Sequence, residues 1–217
     1  MHLIIANKNY SSWSLRGWLM LTGFDLEFEE TILPLFTDDF YSEIKRYSPV
    51  AKVPVLVDKE LAIWDSLAIA EYVNETYLKG KGWPESAAER AKARSLSAEM
   101  HSGFPALRDE MPMNCRAMRK VSPSEQCQLD IKRIESIWTE QREQSSGNGE
   151  WLFGQFSMVD CMYAPVALRF KTYGVTLNPI AAKYMETVLQ SQPVQRWLKE
   201  SLEDTSIVSE DEAGVNI

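Results

Sequence analysis

The chain has 217 residues, 45% of them hydrophobic, which is enough to bury a sizeable core in one large domain or two small ones. Its 23 Lys and Arg against 31 Asp and Glu leave a formal charge of −8, which argues against nucleic acid or an anionic membrane as the main partner, because phosphate binding relies on clustered cations. Three cysteines without CxxC spacing and only two histidines argue against structural zinc and a disulfide framework.

The start, from Met1 to Asn7, has no basic segment and only a short apolar run, so neither a signal peptide nor a membrane span is expected and a cytoplasmic location is. Along the chain, Leu3 to Ala6 reads as a strand, Ser14 to Thr22 as a helix, Phe28 to Thr31 as a strand and Phe40 to Arg46 as a helix. Val53 to Val57 and Leu61 to Trp64 then form two strands joined by the turn Asp58-Lys59-Glu60, and Ser66 to Tyr77 returns to helical spacing. This order predicts a small mixed sheet covered by helices. Two glycines and a proline in Lys79 to Pro84 mark a linker, so the boundaries expected are 1–78, a linker at 79–86, and 87–217. Beyond the linker the pattern is helical throughout: Ala87 to Met111, Ser124 to Arg142, Ser157 to Tyr173, Asn178 to Leu189 and Pro193 to Leu202, with a loop at Ser145 to Gly149. The acidic, weakly apolar tail from Glu203 onward is expected to be mobile.

Four local features bear on function. Pro54 cannot donate to a sheet ladder, so Val53-Pro54 is either an ordinary strand-edge proline or a cis bond that turns the Val53 backbone toward an extended ligand, which would pair there as an added strand. Asp65-Ser66 opens a helix directly after a strand, where it either caps free N–H groups or receives a ligand carboxylate at the helix N-terminus. Asn9 to Arg16 is a hydroxyl-rich loop ahead of the first helix, suited to an N-cap or to holding a thiolate. No histidine lies nearby in sequence to activate a serine, which argues against a hydrolase triad. Ser157 with Asp160 three residues later forms a capping-box pair, with Phe156 and Cys161 spaced as a hydrophobic staple; its role is structural, worth about 1 kcal/mol or somewhat more.

These segments, in this order from about Leu3 to Leu202, resemble the cytosolic glutathione transferase family. Ser48 to Leu56 is similar to its cis-proline segment, Asp65-Ser66 to its acidic-Ser pair, and Ser157-x-x-Asp160 to its C-domain capping box. The resemblance implies an α+β thioredoxin-like N-terminal domain that binds glutathione as co-substrate, and an all-helical C-terminal domain carrying an electrophile pocket. It also implies a homodimer and no metal. The Ser11-Ser12-Trp13-Ser14-Leu15-Arg16 loop resembles the Ser-Ser-Cys-Ser-x-Arg loop of the zeta class, which makes Ser11 the candidate for stabilising the glutathione thiolate, with Tyr10 as its rival. Trp13 stands where that class has cysteine, which weakens the case for maleylacetoacetate isomerase activity.

The resemblance further assigns Val53 to backbone pairing with the cysteinyl unit beside Pro54, Asp65 and Ser66 to the γ-glutamyl end, and Lys52 or Lys45 to the glycyl carboxylate. A small hydrophobic electrophile would then lie between the domains, against Trp13, Met100, His101, Phe104, Met111 and Met113, although ordinary core packing is the other reading of that apolar stretch. Cys115 reads as a passive thiol. Three functions remain open: conjugation through glutathione, glutathione-dependent isomerisation, and a transferase-like binding or stress protein without turnover.

Overall fold

A computed structural model describes residues 1–145 and 147–216 of the chain; Ser146, part of the expected loop, and Ile217 lie outside the described residues. The N-terminal part runs β1 (His2–Ala6), α1 (Ser12–Thr22), β2 (Glu29–Leu33), α2 (Asp38–Ile44), β3 (Val55–Asp58), β4 (Leu61–Trp64) and α3 (Ser66–Thr76). The strands form one sheet in the order β2-β1-β3-β4, with β1 parallel to β2 and antiparallel to β3, and β3 antiparallel to β4. This is the thioredoxin-like arrangement. Central β1 is apolar throughout after His2 because it is covered on both faces: Leu3 and Ile5 join the main core, whereas Ile4 and Ala6 pack with Phe40 and Ile44 of α2. Tyr72 and Tyr77 both donate to the Asp58 carboxylate, which ties α3 to the end of β3 and holds that carboxyl below its usual range.

The rest is mainly helical: α4 (Ala87–Ser102), α5 (Pro105–Glu110), α6 (Glu125–Gln144), α7 (Met158–Thr172), α8 (Pro179–Gln190) and α9 (Gln192–Ser201). The single helix expected from Ala87 to Met111 is in fact two. Phe104 sits in the left-handed region at φ 63 and Pro105 opens the next helix, so the backbone cannot run through. Helix α7 is buried on nearly every side, as an all-round apolar sequence requires, and contacts α1, α4 and α8. One continuous core therefore passes from the sheet into the helices. At its centre Trp138 makes edge contacts with Tyr163, Phe170 and Tyr184 at 6.3, 5.5 and 5.0 Å between ring centroids.

The tail corrects a second expectation, since the residues after Glu203 pack onto the body instead of moving freely. Asn7 donates to Asp204 at 3.0 Å, and Arg116 donates to the carbonyls of Asp204 and Ser206. Val208 is buried, Ser209–Asp211 forms a 3-10 turn, and β6 (Val215–Asn216) pairs antiparallel with β5 (Arg119–Lys120). Acidic composition suggested disorder, but it is matched by Arg116 and Arg119 on the body. No helix among the described residues is long and apolar enough to cross a membrane.

Candidate functional site

The sheet's β1–α1 loop, the β3 entrance and the N-terminus of α3 meet beside α4 and α5, and a cleft runs between them. Its first part, about 430 Å³, is lined by Trp13, Val50, Lys52, Val53, Pro54, Trp64, Asp65, Ser66 and His101. The second part, about 650 Å³, shares Trp13, Val50, Lys52 and Val53 with the first and adds Tyr10, Ser11, Ser12, Phe36, Tyr41, Arg108, Arg169 and Asp211.

The Val53-Pro54 bond is cis. Gly17 explains how α1 comes so near this turn: a Cβ at that position would lie 2.9 Å from the Pro54 ring, so only glycine leaves room. Asp65 adopts φ 76 and caps α3, accepting from the Leu67 amide at 2.8 Å. Its other carboxylate oxygen meets His101 Nε2 at 2.7 Å, a link from α4 to the sheet domain that the sequence does not announce. The Ser66 side chain is 2% exposed, and its buried hydroxyl has no hydrogen-bond partner among the described residues.

Ser11 is the N-cap of α1. Its Oγ accepts from the Ser14 amide at 3.3 Å, and its hydroxyl donates to Ser14 Oγ at 2.7 Å. Ser14 Oγ in turn accepts from the Ala6 amide at 2.9 Å, which fixes the loop to the end of β1. The neighbouring Tyr10 is committed elsewhere: its hydroxyl donates to Glu212 at 2.5 Å and accepts from Arg116 at 2.7 Å.

Of the remaining expected residues, Lys52 is exposed and lines both parts, whereas Lys45 follows α2 on the surface and lines neither. The expected apolar pocket needs correction. Met100, Phe104 and Met111 are 1%, 6% and 2% exposed, belong to the main core together with Met113, and do not line the cleft. The reason is geometric: the apolar face of α4 turns toward α7, so only His101 looks outward, with its ring 5.2 Å from that of Trp13. The second wall is instead formed by Leu35, Phe36, Phe40 and Tyr41, from the β2–α2 region.

Sequence reasoning named Arg16 within the loop motif without giving it a role, and did not single out Arg108 or Arg169. Arg16, fully buried, donates through Nε to the Met162 carbonyl at 3.0 Å and through Nη1 to the Ser12 carbonyl at 3.1 Å. Arg169, 5% exposed, reaches Ser12 Oγ at 3.1 Å, and Arg108 donates to the Gly103 carbonyl at 3.0 Å. Trp13 lies 4.5 Å from the Arg16 guanidinium and 4.8 Å from that of Arg108, measured to the ring centroid. Trp13 is thus an indole packed against two cations.

The three cysteines are buried and free, and burial pushes the thiol of Cys115 up to about 12 and that of Cys127 up to about 11. None of them offers a thiolate at neutral pH. No group of three or more His, Cys, Asp or Glu arranged to hold a metal occurs among the described residues.

This architecture is the two-domain glutathione transferase fold. A glutathione transferase homologue from Burkholderia, crystallised with bound glutathione, superposes with a TM-score of 0.71 over 94% of this chain and 98% of its own, at 23% identity. Residues 10–76 match the family model described as "Glutathione S-transferase, N-terminal domain". The Caenorhabditis elegans protein described as "Probable maleylacetoacetate isomerase" is 35% identical over 100 residues; the alignment covers 46% of each chain, so this chain spans about half the length of that relative. A stringent starvation protein A homologue of Haemophilus ducreyi is 24% identical over 194 residues, covering 88% of this chain and 86% of its own.

Proposed function

We propose that the protein binds glutathione in this cleft and presents its thiol as a nucleophile to a small, largely apolar electrophile. The observation that carries the proposal is Ser66: a buried hydroxyl without a partner among the described residues, at the N-terminus of an eleven-residue helix and beside a capping carboxylate. Such a group is costly unless a ligand completes it. The γ-glutamyl end of glutathione has the right chemistry, with a carboxylate for Ser66 and the helix N-terminus and an ammonium for Asp65. The tripeptide backbone would then pair with Val53, and Lys52 would approach the glycyl carboxylate.

In this reading the thiol lies at the start of α1. The Ser11 hydroxyl turns from Ser14 to the sulfur and the helix N-terminus adds favourable potential, so more thiolate exists at neutral pH. Tyr10 is the weaker donor candidate because its hydroxyl already donates a hydrogen bond to Glu212.

Calorimetry with glutathione tests the proposal. Wild type is expected to bind at sub-millimolar to millimolar concentration, and Ser66→Ala and Asp65→Ala to bind at least about tenfold more weakly, the loss of a charge-assisted hydrogen bond. Unchanged affinity in both variants would sink the assignment. The likeness to a maleylacetoacetate isomerase favours a second outcome at the same site, in which the thiol adds to a double bond and leaves again; product analysis separates them, since isomerisation regenerates free glutathione. A third reading, a binding or stress-response role without turnover, would be supported by absence of glutathione binding at millimolar ligand. A cytoplasmic homodimer belongs to the same proposal.

A further inference from the structure

The end of the cleft at the start of α3 is built from both domains. Asp65 has φ 76, a backbone that an L residue keeps only where its surroundings hold it. Its side chain is gripped from two sides. Oδ1 accepts from the Leu67 amide at 2.8 Å, and Oδ2 accepts from His101 Nε2 of α4 at 2.7 Å. The imidazole is the donor in this pair, because a carboxylate only accepts.

The His101 ring is itself held in place. It packs edge-on against Trp13, with 5.2 Å between ring centroids. About two turns earlier on the same face of α4, Arg94 makes a bidentate pair with Glu71 of α3, both contacts at 2.8 Å. Two polar links therefore fix α4 alongside α3, and one of them ends inside the cleft.

The amide of Leu67 alone would leave the carboxylate free to turn about that single bond. Asp65 is exposed, so water would compete for Oδ2 in every orientation. The second bond, from His101, fixes the plane of the carboxylate, and each oxygen keeps acceptor capacity for a ligand ammonium. Orientation settled before binding is orientation the ligand does not have to impose.

We propose that His101 is a positioning residue for the amino group of the γ-glutamyl arm: it holds Asp65 in the orientation that receives an ammonium, and so makes the helical domain a party to selecting ligands with a free α-amino group. This role presupposes glutathione in the cleft, and a pair of ligands separates its failure from that of the glutathione reading.

The pair is glutathione and its deaminated analogue, glutaryl-cysteinylglycine, measured by calorimetry on wild type, His101→Leu, His101→Gln and Arg94→Leu. Wild type is expected to prefer glutathione by about tenfold, as for one charge-assisted pair. In His101→Leu the preference should fall to about threefold or less, with the analogue bound within about twofold of its wild-type affinity. Retained analogue binding also shows that the variant is folded. His101→Asn, too short to reach Asp65, repeats the test with a polar side chain, and the same loss is expected. His101→Gln, whose amide nitrogen can donate at similar reach, should keep most of the preference, and Arg94→Leu all of it. A proportional loss for both ligands in the Leu and Asn variants, an unchanged preference in both, or an equal fall in Arg94→Leu would overturn the role of His101 and leave glutathione binding intact. Failure of both ligands to bind wild type would overturn the glutathione reading itself, and this role with it.

Discussion

Asp160→Ala is expected to lower stability by about 3–5 kcal/mol, and the melting temperature by roughly 10 °C for a chain of this size. Spacing alone suggested a simple capping box worth about a third of that. In the structure the same carboxylate accepts from the Ser157 amide at 2.9 Å, the Ser157 hydroxyl at 3.1 Å, the Leu152 amide at 3.1 Å and the Tyr184 hydroxyl at 2.9 Å. Removing it leaves at least three buried donors unpaired, and disconnects α7 from the preceding loop and from α8 together. Thermal unfolding followed by circular dichroism measures the loss; a drop of under about 1 kcal/mol would mean that the network is replaceable.

The same residue gives a pH signature. Burial pushes the Asp160 carboxyl from 3.8 up to about 6, against the hydrogen bonds that pull it down. The folded protein therefore holds this proton more tightly than the unfolded chain. The stabilisation that comes from this bound proton, as distinct from the hydrogen bonds to the side chain, is fully present below about pH 4 and lost as pH rises through about 6. Wild-type stability should carry that downward component across this window, and Asp160→Ala should lack it.

Ser11→Ala is expected to reduce kcat/KM by about a hundredfold while changing glutathione affinity by less than about threefold, the pattern for losing a donor aimed at developing negative charge. The bound thiol, followed by thiolate absorbance against pH, should move back toward its free value of about 8.5. Loss of the N-cap should also cost about 1 kcal/mol of stability, which sets the scale of any indirect effect. Tyr10→Phe is the informative control, because Glu212 and Arg116 already engage that hydroxyl. A thiol titration that shifts in Tyr10→Phe and not in Ser11→Ala would reverse the two roles.

Elements with strong periodicity were legible: the small mixed sheet follows from short apolar runs, the Asp58 turn and the helix that follows, although not the order of its strands. That Ser11, Asp65 and Ser66 stand at the starts of helices and Val53 at the entrance to a strand was legible for a related reason, since backbone groups are free at such boundaries. The burial of Arg16 and Arg169 was not. An arginine within a helical pattern reads as a solvated face, and only the packing of the helices shows that these two are inside, with Arg108 half-buried beside Trp13. Met100, Phe104 and Met111 failed the other way, because an apolar stripe does not say whether it faces a core or a cleft. The tail failed because composition measures how little apolar surface a segment can bury, and not whether matching charges await it elsewhere on the fold.

That tail has a consequence of its own. It is fastened by the Glu212 contacts to Tyr10, Asn114 and Arg119, by Arg116 and by the short β5–β6 ladder, with Val208 the one well-buried apolar side chain among its described residues. Attachments of this kind are screened by ions within about 8–10 Å at ordinary ionic strength, whereas the apolar core beneath is indifferent to them. Rising salt should thus loosen the segment that carries Asp211 long before it touches the fold, so the traffic of small molecules through the cleft becomes a property of the surrounding electrolyte as much as of the pocket itself.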